Sequence, residues 1–357
     1  VLTRQKESGY YNDNKTLTYW IYLMSLRRIL FATACAAIAS PAVADVNIYT
    51  TRQPDLIAPV MDAFTAETGI VVNLAFVDDG LVERLKAEGK RSPADLVMTV
   101  DIANLQQIVD ADVIQPVVND VLAANVPANL RSPDNLWFGL TTRARVIYAS
   151  RVRVADGEIT TYEDLASAKW AGRICTRSGL HNYNLALTSA VIAHAGVDGA
   201  TAWAAGVKSN LARKPEGNDR AQVKAIWAGQ CDISLGNTYY MGQMLADEEQ
   251  TAWANSVRIV FPTFENGGTH VNVSGVAMTK AAPNRADALQ LLEFLVSPAA
   301  QGIYAELNSE YPVLGGAPVS DMVASWGEFT ADDVALTDLA SNRPTALRLM
   351  EVVDFDG

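Results

Sequence analysis

The stretch VNIYTTRQPDLIAPVMDAFTAETGIVVNLAF, residues 46–76, sets the fold class. Val46 to Thr50 is a short β-branched run of strand character. After it Leu56, Ile57, Val60, Met61 and Phe64 recur at helical spacing. Gly69 stops that helix, and Val71 to Phe76 reads as the next strand. Outward from this unit the alternation continues. Leu81 to Glu88 is helical and Asp95 to Thr99 is a buried strand. Further strands are expected at Arg143 to Ala149, Gly172 to Thr176, Asp232 to Leu235, Val257 to Phe261 and Gly275 to Thr279. Tyr183 to Ala195 and Arg285 to Leu295 are expected helices between them. Strands alternating with helices predict an α/β protein with parallel sheets. Two sets of them predict two lobes. Neither a repeat nor a low-complexity linker separates the sets, so more than one strand should cross between lobes. The crossings are expected near Leu140 to Arg145 and Ile259 to Phe264, giving lobes of 45–140 plus 265–300 and 141–264 plus 301–357.

The whole chain has 357 residues, 49% hydrophobic and 19% charged, enough to bury a sizeable core. Its net charge of −12 argues against a nucleic-acid partner or an anionic membrane surface and suits a cationic ligand. Three cysteines and three histidines are too few for a Cys/His zinc module. The first 44 residues are set apart as a targeting segment. Met24-Ser-Leu-Arg27-Arg28 is basic, Ile29 to Ala39 is apolar except Thr33, and Ala42-Val43-Ala44 has the small-x-small form of a cleavage site. Residues 24–44 are expected to be a signal peptide cleaved before Asp45, and 1–23 an upstream extension. The apolar run is shorter than the roughly 20 residues a membrane span needs, and no later segment is expected to be one. Removal takes five basic and two acidic residues, leaves 313, and deepens the charge to −15. Cys175 and Cys231 remain as an even pair in an exported chain and are expected to form a disulfide.

Ligands of open α/β sheets lie beyond the carboxyl ends of strands, and pockets favour the space between lobes. Two segments fall there: Arg173-Ile-Cys-Thr-Arg-Ser-Gly-Leu-His-Asn-Tyr-Asn184 and Cys231-Asp-Ile-Ser-Leu-Gly-Asn-Thr-Tyr-Tyr-Met-Gly242. A Cys175–Cys231 bridge would hold the two strands side by side and bring Tyr183, Tyr239 and Tyr240 to one point. Adjacent strand residues face opposite ways. For Tyr239 and Tyr240 to converge the backbone must already be turning, which Gly236-Asn237 would permit.

The segments GNTYYMG (236–242), RICTRSGLHNYN (173–184), IYTTRQPDLIAPVMDAFTAETGI (48–70) and GTHVNVSGVAMTKAAPN (268–284) resemble the bacterial periplasmic ferric-ion-binding proteins, the substrate-binding components of iron ABC importers. The resemblance runs from about Val46 onward, and the paired tyrosine is its most specific mark. It implies a two-lobed periplasmic-binding-protein fold (type II, transferrin-like), hinge strands between lobes, and an inner-membrane ABC permease as partner. It also implies that Tyr183, Tyr239 and Tyr240 are phenolate ligands of Fe³⁺, and that the protein is a binding protein rather than an enzyme. Chemistry agrees. Phenolate is a hard, basic oxygen donor suited to a hard cation. Ionising a free phenol at neutral pH costs about 4 kcal/mol, which a trivalent ion meets more readily than Mg²⁺ or Ca²⁺.

The chain departs from the family after its first strand. Many members carry His-Tyr there, where this chain has Arg52-Gln53-Pro54. Three phenolates balance Fe³⁺ and leave about half of an octahedral shell open, so a synergistic anion such as carbonate, or water, is expected to complete it. Arg52, Arg145 and Arg143 are candidate anion donors, with Gln53 beside them and the N-terminus of the helix near Tyr183 assisting. Gln243 stands where the family often has arginine. His181, two residues from Tyr183, is read as an exposed loop residue, with support of the site from behind Tyr183 as the alternative; His194 is read as structural or surface, His270 as structural, and Glu265 and Asp55 as minor ligand candidates. A monomer is expected. The competing readings are a same-fold binder of an organic or oxyanion solute, such as a polyamine or phosphonate, and an exported hydrolase, for which no nucleophile–base pair is found.

Overall fold

The computed structural model describes residues 45–77 and 79–357; the expected signal segment and upstream extension lie outside them. Among the described residues ten strands are connected, seven along one path and three paired beside it. They are β1 (Val46–Thr50), β2 (Val72–Phe76), β3 (Leu96–Val100), β4 (Ile114–Gln115), β5 (Phe138–Ser150), β6 (Ile174–Cys175), β7 (Ile233–Asn237), β8 (Val257–Val260), β9 (Val271–Thr279) and β10 (Tyr311–Pro312). The order is β2-β1-β3-β9-β5-β7-β6, with β4 on β9 and with β8 and β10 on β5.

The opening unit forms as its pattern dictates. Helix Ala58–Thr68 has a proline in its first turn and ends on Gly69 at φ 77°, a left-handed cap that glycine adopts without steric cost. It buries Val60, Met61 and Phe64. β1 pairs parallel with β2 and β3. The expectation of wholly parallel sheets fails at β9, which runs antiparallel to β3 and β5. β5 is likewise antiparallel to β7 and β8. The sheets are mixed because β9 returns from the second set of strands to insert between β3 and β5, a pairing that spans well over a hundred residues.

β5 is the principal crossing. Phe138 to Ala144 pairs with β9, while Arg145 to Ala149 pairs with β7 and Ile147 to Ser150 with β8. One unbroken strand thus belongs to both halves, and the 261–270 segment between β8 and β9 is the second crossing. The segment after residue 300 is shared differently from the expected division. Tyr304 and Val313 sit in the cluster with Phe64 and Leu291, and β10 pairs with Thr141 and Thr142. Residues 301–313 therefore pack with the first lobe, because their apolar face completes its core.

Helix Asn182–Ser209 is longer than expected and is long and apolar enough to cross a membrane by composition. Half of its apolar window is buried, Gly196 breaks it at φ 70°, and Leu187 and Ala204 lie in the main cluster. It is a core helix. The Cys175–Cys231 disulfide is present, with Cα atoms 5.8 Å apart, beside the parallel β6–β7 pair. It closes a loop of 56 residues in sequence separation. Replacing both cysteines by serine is expected to cost about 2–4 kcal/mol in denaturant unfolding; an unchanged midpoint would show the bridge to be dispensable.

Candidate functional site

Tyr183 lies in the first turn of helix Asn182–Ser209. His181 caps that helix, its Nδ1 accepting from the Tyr183 N–H at 3.2 Å, while the His181 carbonyl accepts from the Asn184 and Leu185 N–H groups. His181 is thus a half-buried cap rather than an exposed loop residue; burial and the Arg177 charge push its pKa down to about 4. The cap also consumes N–H groups that had been expected to meet an anion.

Tyr239 and Tyr240 open helix Tyr239–Ala246, which follows β7 with only Thr238 between, already at helical φ −53° and ψ −44°. The turn is made there. Gly236 stays in the strand for another reason: a Cβ on it would meet the Tyr148 ring at 2.2 Å. That ring donates its hydroxyl to the Asn237 carbonyl at 2.6 Å and fixes the last strand residue before the tyrosines.

The three tyrosines converge as expected. The Tyr183 and Tyr239 hydroxyls are 3.0 Å apart, and the Tyr239 and Tyr240 ring centroids 4.3 Å. All three line a cavity of about 530 Å³ together with Arg52, Gln53, Arg220 and Gln243. A second chamber of about 330 Å³ lies on the other side of Tyr183, bounded by Asp79, Glu83, Asn104 and His181. Burial is the main force holding the Tyr239 phenol well above its ordinary pKa, and the neighbouring Tyr183 and Tyr240 add to it. Burial likewise pushes Tyr240 up to about 12. Both phenols are therefore protonated at neutral pH, and only a ligand that displaces the proton gains their oxygen.

The arginines are placed differently from one another. Arg52 is buried and donates to Glu310 at 2.7 Å and Ser274 Oγ at 3.1 Å. Arg145 donates to Asp219 and Asn184 at 2.7 Å and to Asn237 at 3.1 Å. These commitments mean that a bidentate grip on an anion by either would first displace a carboxylate or amide. Arg143 and Arg145 do face one side, as their alternation implies: with Tyr183, Asn237, His270 and Asn272 they enclose a space of about 10 Å³. That is the size of one water and too small for carbonate. Arg143 leaves its Nε and Nη2 without hydrogen-bond partners among the described residues, with Asp101 at 3.7 Å. The guanidinium carbons of Arg143, Arg145 and Arg177 lie 6.0, 5.7 and 5.2 Å from the Tyr183 ring centroid. This is positive charge placed to offset negative charge brought into the site.

Arg220 was not singled out from sequence. It lines the large cavity and has no carboxylate partner among the described residues. Its position on helix Asp219–Trp227, beside the Asp219 that holds Arg145, was the available signal. Gln53 is exposed at the cavity edge, while Asp55 and Glu265 do not line it. His194 pairs with Asp332 at 3.0 Å, and His270 is buried. Among the described residues no cluster of His, Cys, Asp and Glu could hold a metal. Besides the three tyrosines the large cavity is lined by the carboxylates of Glu306 and Glu310, the latter paired with Arg52.

Comparison with known proteins gives a consistent result. The family described as bacterial extracellular solute-binding protein matches residues 49–302. Iron uptake protein A1 of Synechocystis is 46% identical over 309 residues, 86% of each chain. The open conformation of ferric iron-binding protein A from Mannheimia haemolytica superposes with a TM-score of 0.85 at 49% identity, covering 88% of this chain and 99% of that one. The Trichodesmium FutA protein in complex with iron and citrate gives 0.84 at 42% identity, covering 87% and 99%. The two-lobed type II solute-binding architecture is common to these neighbours and to this chain.

Proposed function

The chain belongs to the bacterial extracellular solute-binding protein family, and from that premise we propose that its solute is the ferric ion, held between the lobes by Tyr183, Tyr239 and Tyr240. The observation that carries the reading is the convergence of three phenol groups on one cavity, with two hydroxyls 3.0 Å apart. Metal binding displaces three protons and supplies the trivalent charge that three phenolates neutralise. The guanidinium groups around Tyr183 balance what charge remains. An exogenous anion, carbonate or a small carboxylate, or water fills the coordination positions left open. Arg220, free of a carboxylate partner among the described residues, is the donor best placed to receive that anion, with Gln53 and Gln243 at the same cavity wall.

Two further parts of the reading follow from the family and the sequence. The protein is exported, with cleavage before Asp45, and works in the periplasm. There it hands its ion to the permease of an ABC importer, the lobes closing by a hinge motion about β5 and the 261–270 crossing.

The direct test is colour. Protein loaded with Fe³⁺ in bicarbonate buffer is expected to show a broad phenolate-to-iron charge-transfer band in the visible, with one iron per chain by elemental analysis. Loading without bicarbonate reads the anion separately: the band should weaken or move if carbonate completes the shell. A colourless protein that retains no iron in either buffer sinks the reading.

A further inference from the structure

The loop that delivers Tyr183 to the cleft is braced on its outer side by residues distant in sequence. Asp356 accepts from Ser178 Oγ at 2.5 Å and from the Gly179 N–H at 2.7 Å. Phe355 is buried and packs so closely on Gly179 that a Cβ there would lie 2.5 Å from its ring. Arg343, on helix Leu336–Val352, donates to Asn182 Oδ1 at 2.7 Å. The brace is itself anchored. Lys208 donates to the Val353 carbonyl at 3.0 Å and Lys214 to the Gly357 carbonyl at 2.6 Å. On the inner side Asn184 Nδ2 donates to the Arg177 and Ser178 carbonyls at 3.1 Å. The loop 178–182 is therefore gripped from both sides, immediately before the tyrosine.

A brace of this kind has a purpose that packing alone does not supply. Ser178 to Asn182 is a turn containing a glycine and an exposed leucine, with one backbone hydrogen bond across it, from His181 to Ser178. A phenol is a long rigid arm, so a small rotation of its backbone is enlarged at the hydroxyl. A site on a loop is precise only when its supporting contacts lock it.

We propose that Arg343, Phe355 and Asp356 are positioning residues that set where the Tyr183 hydroxyl stands relative to Tyr239, and so set ferric affinity. This rests on the reading of Tyr183 as an iron ligand. The test compares Asp356→Ala with Asp356→Asn, which keeps an acceptor for the Gly179 N–H, and with Asp354→Asn, which touches Lys208 but not the loop. Asp356→Ala is expected to weaken Fe³⁺ binding about tenfold or more, in the range of lost outer contacts to metal ligands. It should also shift the charge-transfer maximum while leaving the iron-free melting temperature near that of wild type. Asp356→Asn should recover most of the affinity, and Asp354→Asn should behave as wild type. Iron binding and a band identical to wild type in Asp356→Ala overturn the proposal. A crystal structure of the iron-free Asp356→Ala variant decides it independently of metal: the Tyr183 and Tyr239 hydroxyls should move out of hydrogen-bond range, and an unmoved pair refutes the brace. Wild-type protein that takes up no iron refutes the ferric reading instead.

Discussion

Tyr239→Phe is expected to lower ferric affinity by at least about 100-fold, beyond the 10–100-fold typical of residues that only support a ligand. The substitution removes one oxygen and leaves the ring. The Tyr239 ring packs against the Tyr240 ring, their centroids 4.3 Å apart, and that contact survives the substitution, so the ring keeps its place and the loss is that of the donor and its hydrogen bond to Tyr183. Two phenolates cannot neutralise a trivalent ion, and the third position as well as the later ones would have to be filled by weaker donors. Competition with a calibrated chelator measures the constant, and the visible band should lose intensity in step. Tyr240→Phe and Tyr183→Phe should behave alike, whereas Gln53→Ala, exposed at the cavity edge, should change affinity by less than about threefold. The opposite ranking, with Gln53 dominant, would overturn the ligand set.

The second large effect is in pH. Tyr240 is held at about 12 and Tyr239 well above its ordinary value, both chiefly by burial. Pulling the proton from a group at about 12 costs about 7 kcal/mol at pH 7. The sign follows directly. The free protein carries these protons throughout the neutral range and the loaded protein does not, so each proton released makes affinity rise tenfold per pH unit. With three phenolates the association constant should climb up to about 1000-fold between pH 6 and pH 7 at fixed anion concentration. Acidification should accordingly discharge the ion. The slope is read by chelator competition after correcting for the chelator's own protons. A constant that does not vary with pH would mean that phenols are not the donors.

Most of this was legible in sequence for a local reason. The strands that show in sequence are short apolar or β-branched runs between turn signals, and the tyrosines stand out because they fall in the segments that follow two of them; the two-residue strands β4 and β10 carry no such run. What was not legible depends on partners far along the chain. Arg52 and Arg145 look like free cations until Glu310 and Asp219 are seen against them, 258 and 74 residues away. The antiparallel insertion of β9 leaves no mark in its own residues, since a buried strand reads the same in either direction. Gly236 looks like a bend in sequence because glycine often permits one; the crowding by Tyr148, 88 positions earlier, is invisible locally. The bracing of Ser178 by Asp356 escaped for the same reason.

The direct passage of β7 into helix Tyr239–Ala246 restricts how this chain can vary over evolutionary time. Connections between elements are ordinarily where insertions and deletions accumulate without harm. Here there is no such slack. Each helical residue advances about 100° around its axis, so one residue gained or lost between Asn237 and Tyr239 would swing both phenols away from Tyr183. Substitutions can drift around the site, but the length of this junction cannot.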